Sequence, residues 1–504
     1  MSTAWKDLAS LAPEGIVALG ALVVLFLDLG ERKERRRLVA GTAAAVVVAA
    51  LAAVALAITR GVGAEPQRLF SGILVRDLYA LLFDGVFLLS ALLAILLSVR
   101  HGEREEIPAG ELYALLLFSL LGMMLLAASA ELITLFISYE VLSVAVYVLA
   151  GLARKRAESA EAALKYFLLG AFSSGFLVYG IALVYGATST TFLAAIASRV
   201  SGYGLLGNAL LLGGLALILI GIGFKAAVAP FHAWVPDVYQ GAPLPVTAFM
   251  SAAVKAAAFA AAMRVLFAGF SDLASIWQPV LWVLAAVTML VGNAAAIPQT
   301  NLKRMLAYSS IAHAGYVLAG VAAYAAGSEA VGSVLYYSLV YAAMVIGAFA
   351  ILVMVGRDTE ERQELEDYRG LAQRHPWSAA AMTLFLISLA GLPPTAGFIG
   401  KLFILLALIR ARLDGLAVLL VLASVISLYY YLRVVRYMYM EAPAASGAEG
   451  KQEALSRSLS LRAAVLMAVA LVVLLGLFPT AALTLAQTAG ITLTEGGIPI
   501  LRGG

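Results

Sequence analysis

The chain has 504 residues, of which 63% are hydrophobic and 13% are charged, and its formal net charge is +4. Apolar runs of about twenty residues repeat along its whole length, which is typical of a polytopic helical membrane protein and excludes a soluble multidomain enzyme. The sequence contains no Cys, which excludes disulfides and iron–sulfur clusters held by thiolates.

The apolar runs, taken between their charged or glycine-rich interruptions, predict an all-α fold with about 14 transmembrane helices in a single integral membrane domain, 1–504. The N-terminal segment MSTAWKDLASLAPEG has no basic region followed by a short apolar core, so we expect the first span to be retained. The predicted spans are 13–30, 38–59, 74–99, 111–129, 131–153, 164–186, 205–239, 244–268, 277–297, 304–325, 330–355, 377–410, 413–437 and 462–488.

Basic residues in the loops predict the orientation of these spans. The segments at 31–37 and 154–156, the pair Lys303 and Arg304, and the loop 357–375 all fall on one side of the membrane. That side carries roughly 21 Lys and Arg against about 9 on the other, so it should be cytoplasmic, with both termini outside. These loops account for the small positive charge, and we expect no nucleic-acid partner.

The seventh and twelfth predicted spans are too long for one crossing, because about 20 residues cross the hydrocarbon. Each contains a helix breaker: Pro230 lies in the seventh span, and the segment GLPP at 391–394 lies in the twelfth. The sequence therefore predicts that both helices are broken. Paired broken helices in corresponding halves indicate a transporter with internal repeats and sites near the membrane midplane.

The candidate functional residues are charged residues inside apolar spans, and they are Glu140, Lys225, Lys255 and Lys401. Charges in hydrocarbon are costly and mark functional sites by default. Lys is scarce, at about 9 of the 34 Lys and Arg residues, yet we expect every deep cation to be Lys. A buried Lys can lose its proton and Arg cannot, so the pattern predicts proton transfer rather than static ion pairs.

Glu140 is the expected counter-ion of one of these lysines, and separating such a pair would release a proton. His313, within the tenth span, could relay protons between lysines because imidazole titrates near neutrality. The structural alternatives are snorkelling of Lys225 and Lys401 at helix ends, a static Glu140 pair and a packing role for His313. Asp84, in the third span, is left without a role. The sequence has no dinucleotide-binding fingerprint and no cluster of metal ligands.

Four segments of the sequence have a recognisable pattern: ESAEAALKYFLLGAFSSGFLVYGIALVYG at 158–186, FKAAVAPFHAWVPDVYQGAPLPVTAF at 224–249, NLKRMLAYSSIAHAGYVLAG at 301–320 and GLPPTAGFIGKLFIL at 391–405. They strongly resemble the antiporter-like membrane subunits of respiratory complex I. The run PDVYQGAP at 236–243 is most similar to the branch that contains subunit N of bacterial NADH:quinone oxidoreductase, whereas the other branches usually have Ala-His after Pro-Asp. Leu244 departs from the pattern, since Thr usually separates the two prolines there.

The resemblance implies a domain organisation: N-terminal helices 1–3 at 1–110, two inverted five-helix repeats at 111–268 and 277–437, and a last helix at 462–488. It also implies roles for the candidate residues. Glu140 matches the fifth-helix glutamate that pairs with the seventh-helix lysine, here Lys225. Lys255 matches the central relay of the eighth helix, and Lys401 matches the lysine of the second half-channel.

The function implied is proton translocation in a bacterial plasma membrane, driven by quinone reduction in other subunits. Those subunits would carry NAD, FMN, the iron–sulfur clusters and quinone, so no cofactor or metal is expected in this chain. The expected partners are other membrane subunits and the lipid bilayer. The alternatives are a subunit of a multisubunit sodium/proton antiporter, a membrane scaffold with inert lysines, and the membrane arm of a ferredoxin-driven or hydrogenase-linked complex.

Overall fold

The computed structural model describes residues 3–29, 35–356, 362–442 and 458–494, and most of them are helical. Within these residues, 12 helices are long and apolar enough to cross a membrane, and two shorter apolar helices accompany them. The prediction of an all-α polytopic membrane fold is confirmed.

The N-terminal part consists of four helices and a short β-hairpin. The helices are α1 (Thr3–Ser10), α2 (Ala12–Leu27), α3 (Arg35–Thr59) and α4 (Leu78–Arg104). The third span was predicted to begin at 74, but strands β1 (Gln67–Leu69) and β2 (Leu74–Arg76) pair antiparallel ahead of α4. Left-handed backbone at Ser71 and Gly72 turns the chain between them. Strands this short have too little periodicity to be predicted.

The next part of the chain contains the broken seventh span. Its helices are α5 (Ala109–Ala128), α6 (Leu132–Ala150), α7 (Ala157–Thr188), α8 (Leu193–Gly202), α9 (Ala209–Ala226), α10 (Val235–Gly241), α11 (Leu244–Phe249) and α12 (Lys255–Gly269). The predicted break is confirmed, because α9 ends in a left-handed residue, Ala227, and the helix resumes only at α10. The short helix α8 lies between predicted spans and was not expected.

The eighth span has an irregularity that the sequence did not indicate. A π-helical segment, Met250–Val254, joins α11 to α12, and Lys255 is the first residue after it. Wide turns of this kind are frequently found at functional sites. The segment contains no Gly or Pro, so it gave no breaker signal.

The second broken helix lies in the following part of the chain. Its helices are α13 (Ala274–Ala296), α14 (Leu302–Ala322), α15 (Ser328–Val355), α16 (Leu371–Arg374), α17 (Pro376–Ala390), α18 (Ala396–Arg410) and α19 (Asp414–Tyr439). The twelfth span is broken as predicted, since α17 ends at Gly391 in a left-handed conformation and α18 begins after the two prolines.

The prediction of one C-terminal helix at 462–488 is wrong, because the chain forms α20 (Leu459–Leu477) and α21 (Thr480–Thr494). Pro479 disfavours helical backbone at the residue before it, and Phe478 has φ −128° and ψ 62°. Helix α21 packs against α15, α4 and α12, so this end of the described chain folds back onto the core.

Helices α7 and α9, which carry part of the candidate site, cross at two glycines. A Cβ on Gly214 would lie 2.8 Å from the carbonyl oxygen of Gly180 and 2.9 Å from the backbone nitrogen of Val184. Only a residue without a side chain allows this approach. The spacing of the two helices therefore depends on Gly180 and Gly214.

We expect the substitution Gly214→Val to lower the stability of the protein by about 1–3 kcal/mol, because it overpacks this crossing. The measurement is the apparent melting temperature in detergent. Gly213→Val is the matched control, since a Cβ at Gly213 meets its nearest neighbour only at 3.9 Å. Equal losses in the two variants would contradict the packing role of Gly214.

Candidate functional site

Lys225, in the last turn of α9, lies in a cage of tyrosine rings. It is fully buried, and its Nζ donates a hydrogen bond to the hydroxyl of Tyr166 at 3.4 Å. Its Nζ lies 5.1, 4.8 and 5.0 Å from the ring centres of Tyr139, Tyr147 and Tyr166. Ring faces carry partial negative charge and attract an ammonium group. Snorkelling of Lys225 is excluded, because its ammonium group does not reach the surface.

Glu140, on α6, does not contact Lys225 directly in this structure. Its Oε1 accepts a hydrogen bond from the hydroxyl of Ser174 at 2.5 Å, and no carboxylate of the described residues lies within ion-pair distance of the Lys225 ammonium. The expected direct pair is absent because Ser174 binds the carboxylate and tyrosine rings surround the ammonium group.

Lys255 is buried against α14. Its Nζ donates hydrogen bonds to the backbone carbonyl and the hydroxyl of Ser310, at 2.8 and 2.7 Å, and lies 5.7 Å from the ring centre of Tyr239. The hydroxyls of Tyr239 and Tyr341 are buried without a hydrogen-bond partner in the protein. Buried polar groups of this kind are normally satisfied by ordered water.

His313, on α14, is held by tyrosines on both sides of its ring. Its Nδ1 is 2.6 Å from the hydroxyl of Tyr337, and its Nε2 is 3.0 Å from the hydroxyl of Tyr431. A neutral imidazole donates from one nitrogen and accepts at the other, and a hydroxyl can do both. The two hydrogen bonds therefore suit a proton relay as well as a packing role.

Lys401, on α18, occupies the break in the twelfth span. Its Nζ donates hydrogen bonds to the carbonyl oxygens of Leu389 and Ala390, each at 3.0 Å. The last carbonyls of a helix have no partner within the helix and form its negative end, which attracts a cation. A Cβ on Gly391 would lie 2.9 Å from Lys401 Cδ, so the glycine makes room for the lysine. Lys401 is 5% exposed and does not snorkel.

Aromatic contacts join these groups into one row. Tyr166 stacks on Trp234 with ring centres 4.3 Å apart, and Trp234 contacts Tyr239 at 6.0 Å. Ser310 and His313 are three residues apart on α14 and share a face. His313 contacts Tyr316 at 5.3 Å, and the Tyr316 ring centre is 4.6 Å from Lys401 Nζ. We call Lys225, Lys255, His313 and Lys401 the lysine row.

The sequence analysis missed the tyrosines that line this row, although their spacing is a usable signal. Tyr139 and Tyr147 are eight residues apart on α6, with Ser143 midway, and Tyr337 and Tyr341 are four apart on α15. Residues at these spacings share one face of a helix. A tyrosine-lined face next to Glu140 could have been predicted.

The statement that every deep cation is Lys is wrong. Arg76 and Arg264 are 0% and 3% exposed. Arg264 binds both carboxylate oxygens of Asp77, at 2.5 and 2.9 Å, and Arg76 also binds carboxylates. Because Arg keeps its charge, it needs a carboxylate when buried, whereas the lysines of the row have none.

An open cleft of about 650 Å³ lies at the end of α10, on the side predicted to be cytoplasmic. Asp237, on α10, accepts hydrogen bonds from Lys165 and Arg304, each at 2.9 Å. Lys165, which lines the cleft, precedes Tyr166, the hydroxyl partner of Lys225, on α7. In the described part of the chain, no group of three or more His, Cys, Asp or Glu side chains could hold a metal ion.

We expect the substitution Lys255→Met to leave the stability unchanged or to raise it, because a buried ammonium group without a carboxylate is costly. Arg264→Met, on the same helix, is the matched contrast: it leaves Asp77 buried and unpaired and should cost about 3–5 kcal/mol. The stability of both variants is measured as the apparent melting temperature in detergent. A loss in Lys255→Met as large as that in Arg264→Met would identify Lys255 as a structural cation.

Comparison with known proteins identifies the family of this chain. The family described as NADH:quinone oxidoreductase/Mrp antiporter, transmembrane, matches residues 129–427, which include the whole lysine row. NADH-quinone oxidoreductase subunit N of Trichlorobacter lovleyi is 50% identical over 372 residues, 74% of this chain and 76% of that protein. NADH-quinone oxidoreductase subunit N 1 of Herpetosiphon aurantiacus is 43% identical over 500 residues, 96% and 99% of the two chains.

A solved structure supports the same family assignment. A chain in the structure of respiratory complex I from Thermus thermophilus superimposes with a TM-score of 0.76 at 34% identity, over 94% of this chain and 99% of that one. The chain therefore belongs to the NADH:quinone oxidoreductase/Mrp antiporter transmembrane family.

Proposed function

We propose that this chain is a proton-translocating membrane subunit of an NADH:quinone oxidoreductase. The observation that carries the proposal is the lysine row, in which three buried lysines without carboxylate partners are linked by tyrosines and a histidine. Relatives that are 43–50% identical are named as subunit N of NADH-quinone oxidoreductase, which supports the assignment.

Proton transfer along the row follows from the contacts of each lysine. Lys225 takes up a proton from the cleft at α10, and the hydroxyl of Tyr166 accepts from its ammonium group. The proton passes through ordered water to Lys255, whose acceptors are the two oxygens of Ser310. It then moves past His313 to Lys401. The lysine, tyrosine and histidine side chains along this path can each give up a proton and take one back.

Glu140 controls the first step in this proposal. Its carboxylate is hydrogen-bonded to Ser174, while the Lys225 ammonium group is surrounded by rings. A rearrangement that brings Glu140 closer to Lys225 stabilises the ammonium form, and its return destabilises that form. In this proposal, a movement of α6 relative to α9, which carries Lys225, loads and discharges the lysine.

The remaining assignments belong to the same proposal. The segments 111–268 and 277–437 are the two half-channel repeats, and the chain lies in a bacterial plasma membrane with both termini outside. Quinone reduction in other subunits, which carry NAD, FMN, iron–sulfur clusters and quinone, drives the transfer. Large apolar side chains are exposed along α6 and α7, including Ile137 and Phe172, and these faces suit lipid or neighbouring membrane subunits.

The substitutions Lys225→Ala, Lys255→Ala and Lys401→Ala should each lower the number of protons pumped per electron, because each removes a group that carries the proton. Loss of such a group slows its proton-transfer step by about 100-fold or more. The measurement is NADH-driven proton uptake by vesicles that contain the reconstituted complex. Lys155→Ala is the control, because Lys155 is 76% exposed and paired with Glu106 at the surface.

An unchanged ratio in all three variants would refute the proposed role of the row. Proton exchange in the same vesicles that depends on sodium and needs no quinone would instead support the sodium/proton antiporter.

The substitution Glu140→Gln should slow pumping without unfolding the chain, because an amide oxygen can still accept from Ser174 but has no charge to act on Lys225. Glu131→Gln is the control on the same helix: Glu131 caps the N-terminus of α6 by accepting from the backbone of Thr134 at 2.7 Å. The measurement is the proton-pumping rate of each variant in reconstituted vesicles. If Glu131→Gln lowered the pumping rate more than Glu140→Gln, control of the first step by Glu140 would be contradicted.

A further inference from the structure

A second cluster of buried charges lies among the N-terminal helices, away from the lysine row. Glu14 on α2, Arg76 at the end of β2 and Asp84 on α4 are 3%, 0% and 0% exposed. We call these three residues the N-terminal triad. They lie outside the segment that matches the family, 129–427.

The guanidinium group of Arg76 binds Glu14 more closely than Asp84. Its Nη2 donates to both oxygens of Glu14, at 2.6 and 2.5 Å. Its Nη1 donates to Asp84 Oδ2 at 3.1 Å. The other oxygen of Asp84 is buried and has no hydrogen-bond partner. Glu14 is therefore the closer counter-ion of Arg76, and Asp84 has a single, longer hydrogen bond to it.

The charges in this region do not balance if every group is ionised. The triad contains two carboxylates and one guanidinium group. The neighbouring groups are Asp77 and Arg264, which form their own pair, and Tyr79, whose ring lies under Arg264 with its centre 4.6 Å away. One negative charge is left over in a dry environment, where an unpaired carboxylate is very costly. Arg cannot remove the imbalance by losing a proton, so a carboxyl group must gain one.

We propose that Asp84 is a proton-binding site, and that it holds a proton as a neutral carboxylic acid that makes the N-terminal triad electroneutral. Asp84 is assigned rather than Glu14 because its contact with Arg76 is longer and one of its oxygens has no donor. The bound proton belongs to a site separate from the lysine row.

A cavity lies close to this region and is lined by the neighbouring pair, not by the triad itself. It has a volume of about 370 Å³ and lies between the β-hairpin, α8 and α21, with Asp77 and Arg264 in its lining. Asp77 adjoins Arg76 in the chain. The cavity is at the start of α4, and the cleft near Asp237 includes Glu105 at the other end of the same helix, about 40 Å away at the helical rise per residue. The cavity and the cleft therefore lie towards opposite ends of α4.

Infrared spectroscopy tests the proposal on the full chain with its neighbouring membrane subunits in lipid nanodiscs, with aspartate labelled with carbon-13 at the side-chain carboxyl. The wild type should show an isotope-sensitive band of a protonated carboxylic acid at neutral pH. Asp84→Asn should remove the band. Glu14→Gln should remove it as well, because Asp84 must then ionise as the remaining counter-ion of Arg76. Asp77→Asn, in the balanced pair, should leave it in place.

Absence of such a band from the wild type, or its persistence in either Asp84→Asn or Glu14→Gln, would overturn the proposal. Thermal melting gives an independent measurement. Asp84→Asn should melt at the temperature of the wild type, since it replaces one neutral group by another, whereas Asp77→Asn should melt several degrees lower, since it leaves Arg264 unpaired. If Asp84→Asn melts as low as Asp77→Asn, Asp84 is an ionised counter-ion and the proposal fails.

Discussion

Burial of positive charge in hydrocarbon is the constraint on which this structure depends, and the protein meets it differently for its two kinds of cation. Arg76 and Arg264 are permanently charged and are bound to carboxylates. The lysines of the row are surrounded by rings, hydroxyls and backbone carbonyls. A carboxylate holds a charge in place, whereas neutral acceptors stabilise it only partly. The arginines therefore act as structural cations, and the lysines retain the ability to exchange protons.

Irregular helices supply the partners that the lysines need. Lys225 is in the last turn before the seventh break, Lys255 follows the π-helical segment, and Lys401 binds the free carbonyls at the end of α17. Freed backbone groups at membrane depth are tolerated only where they are buried in protein or line a hydrated cavity. In the twelfth span, the carbonyls at the end of α17 have no donor within the helix, and the Lys401 ammonium group has no anion. The hydrogen bonds between them satisfy both groups.

Hydropathy and helix breakers were sufficient to predict most of the fold and the positions of the lysines. The long apolar runs determine the spans, and Pro230 and the segment at 391–394 determine the two breaks. Pro479 could have predicted the split between α20 and α21 by the same rule. The π-helical segment had no such signal, because its residues are ordinary helix formers. The hydrogen-bond partner of Glu140 could not be predicted, because it depends on side-chain rotamers. The pairing of Arg264 with Asp77 could not be predicted either, because the two residues are far apart in the sequence.

The composition of the lysine row also limits how it can be loaded. In a medium of low dielectric constant, like charges repel strongly over short separations. The row has three lysines, and the half-buried carboxylate of Glu140 lies on α6, whose Tyr139 and Tyr147 contact Lys225. A proton on Lys225 is therefore partly compensated, while a proton on Lys255 or Lys401 is stabilised only by neutral groups. Full occupation of all three lysines is disfavoured, so the proposed transfer from Lys225 to Lys401 would proceed one charge at a time.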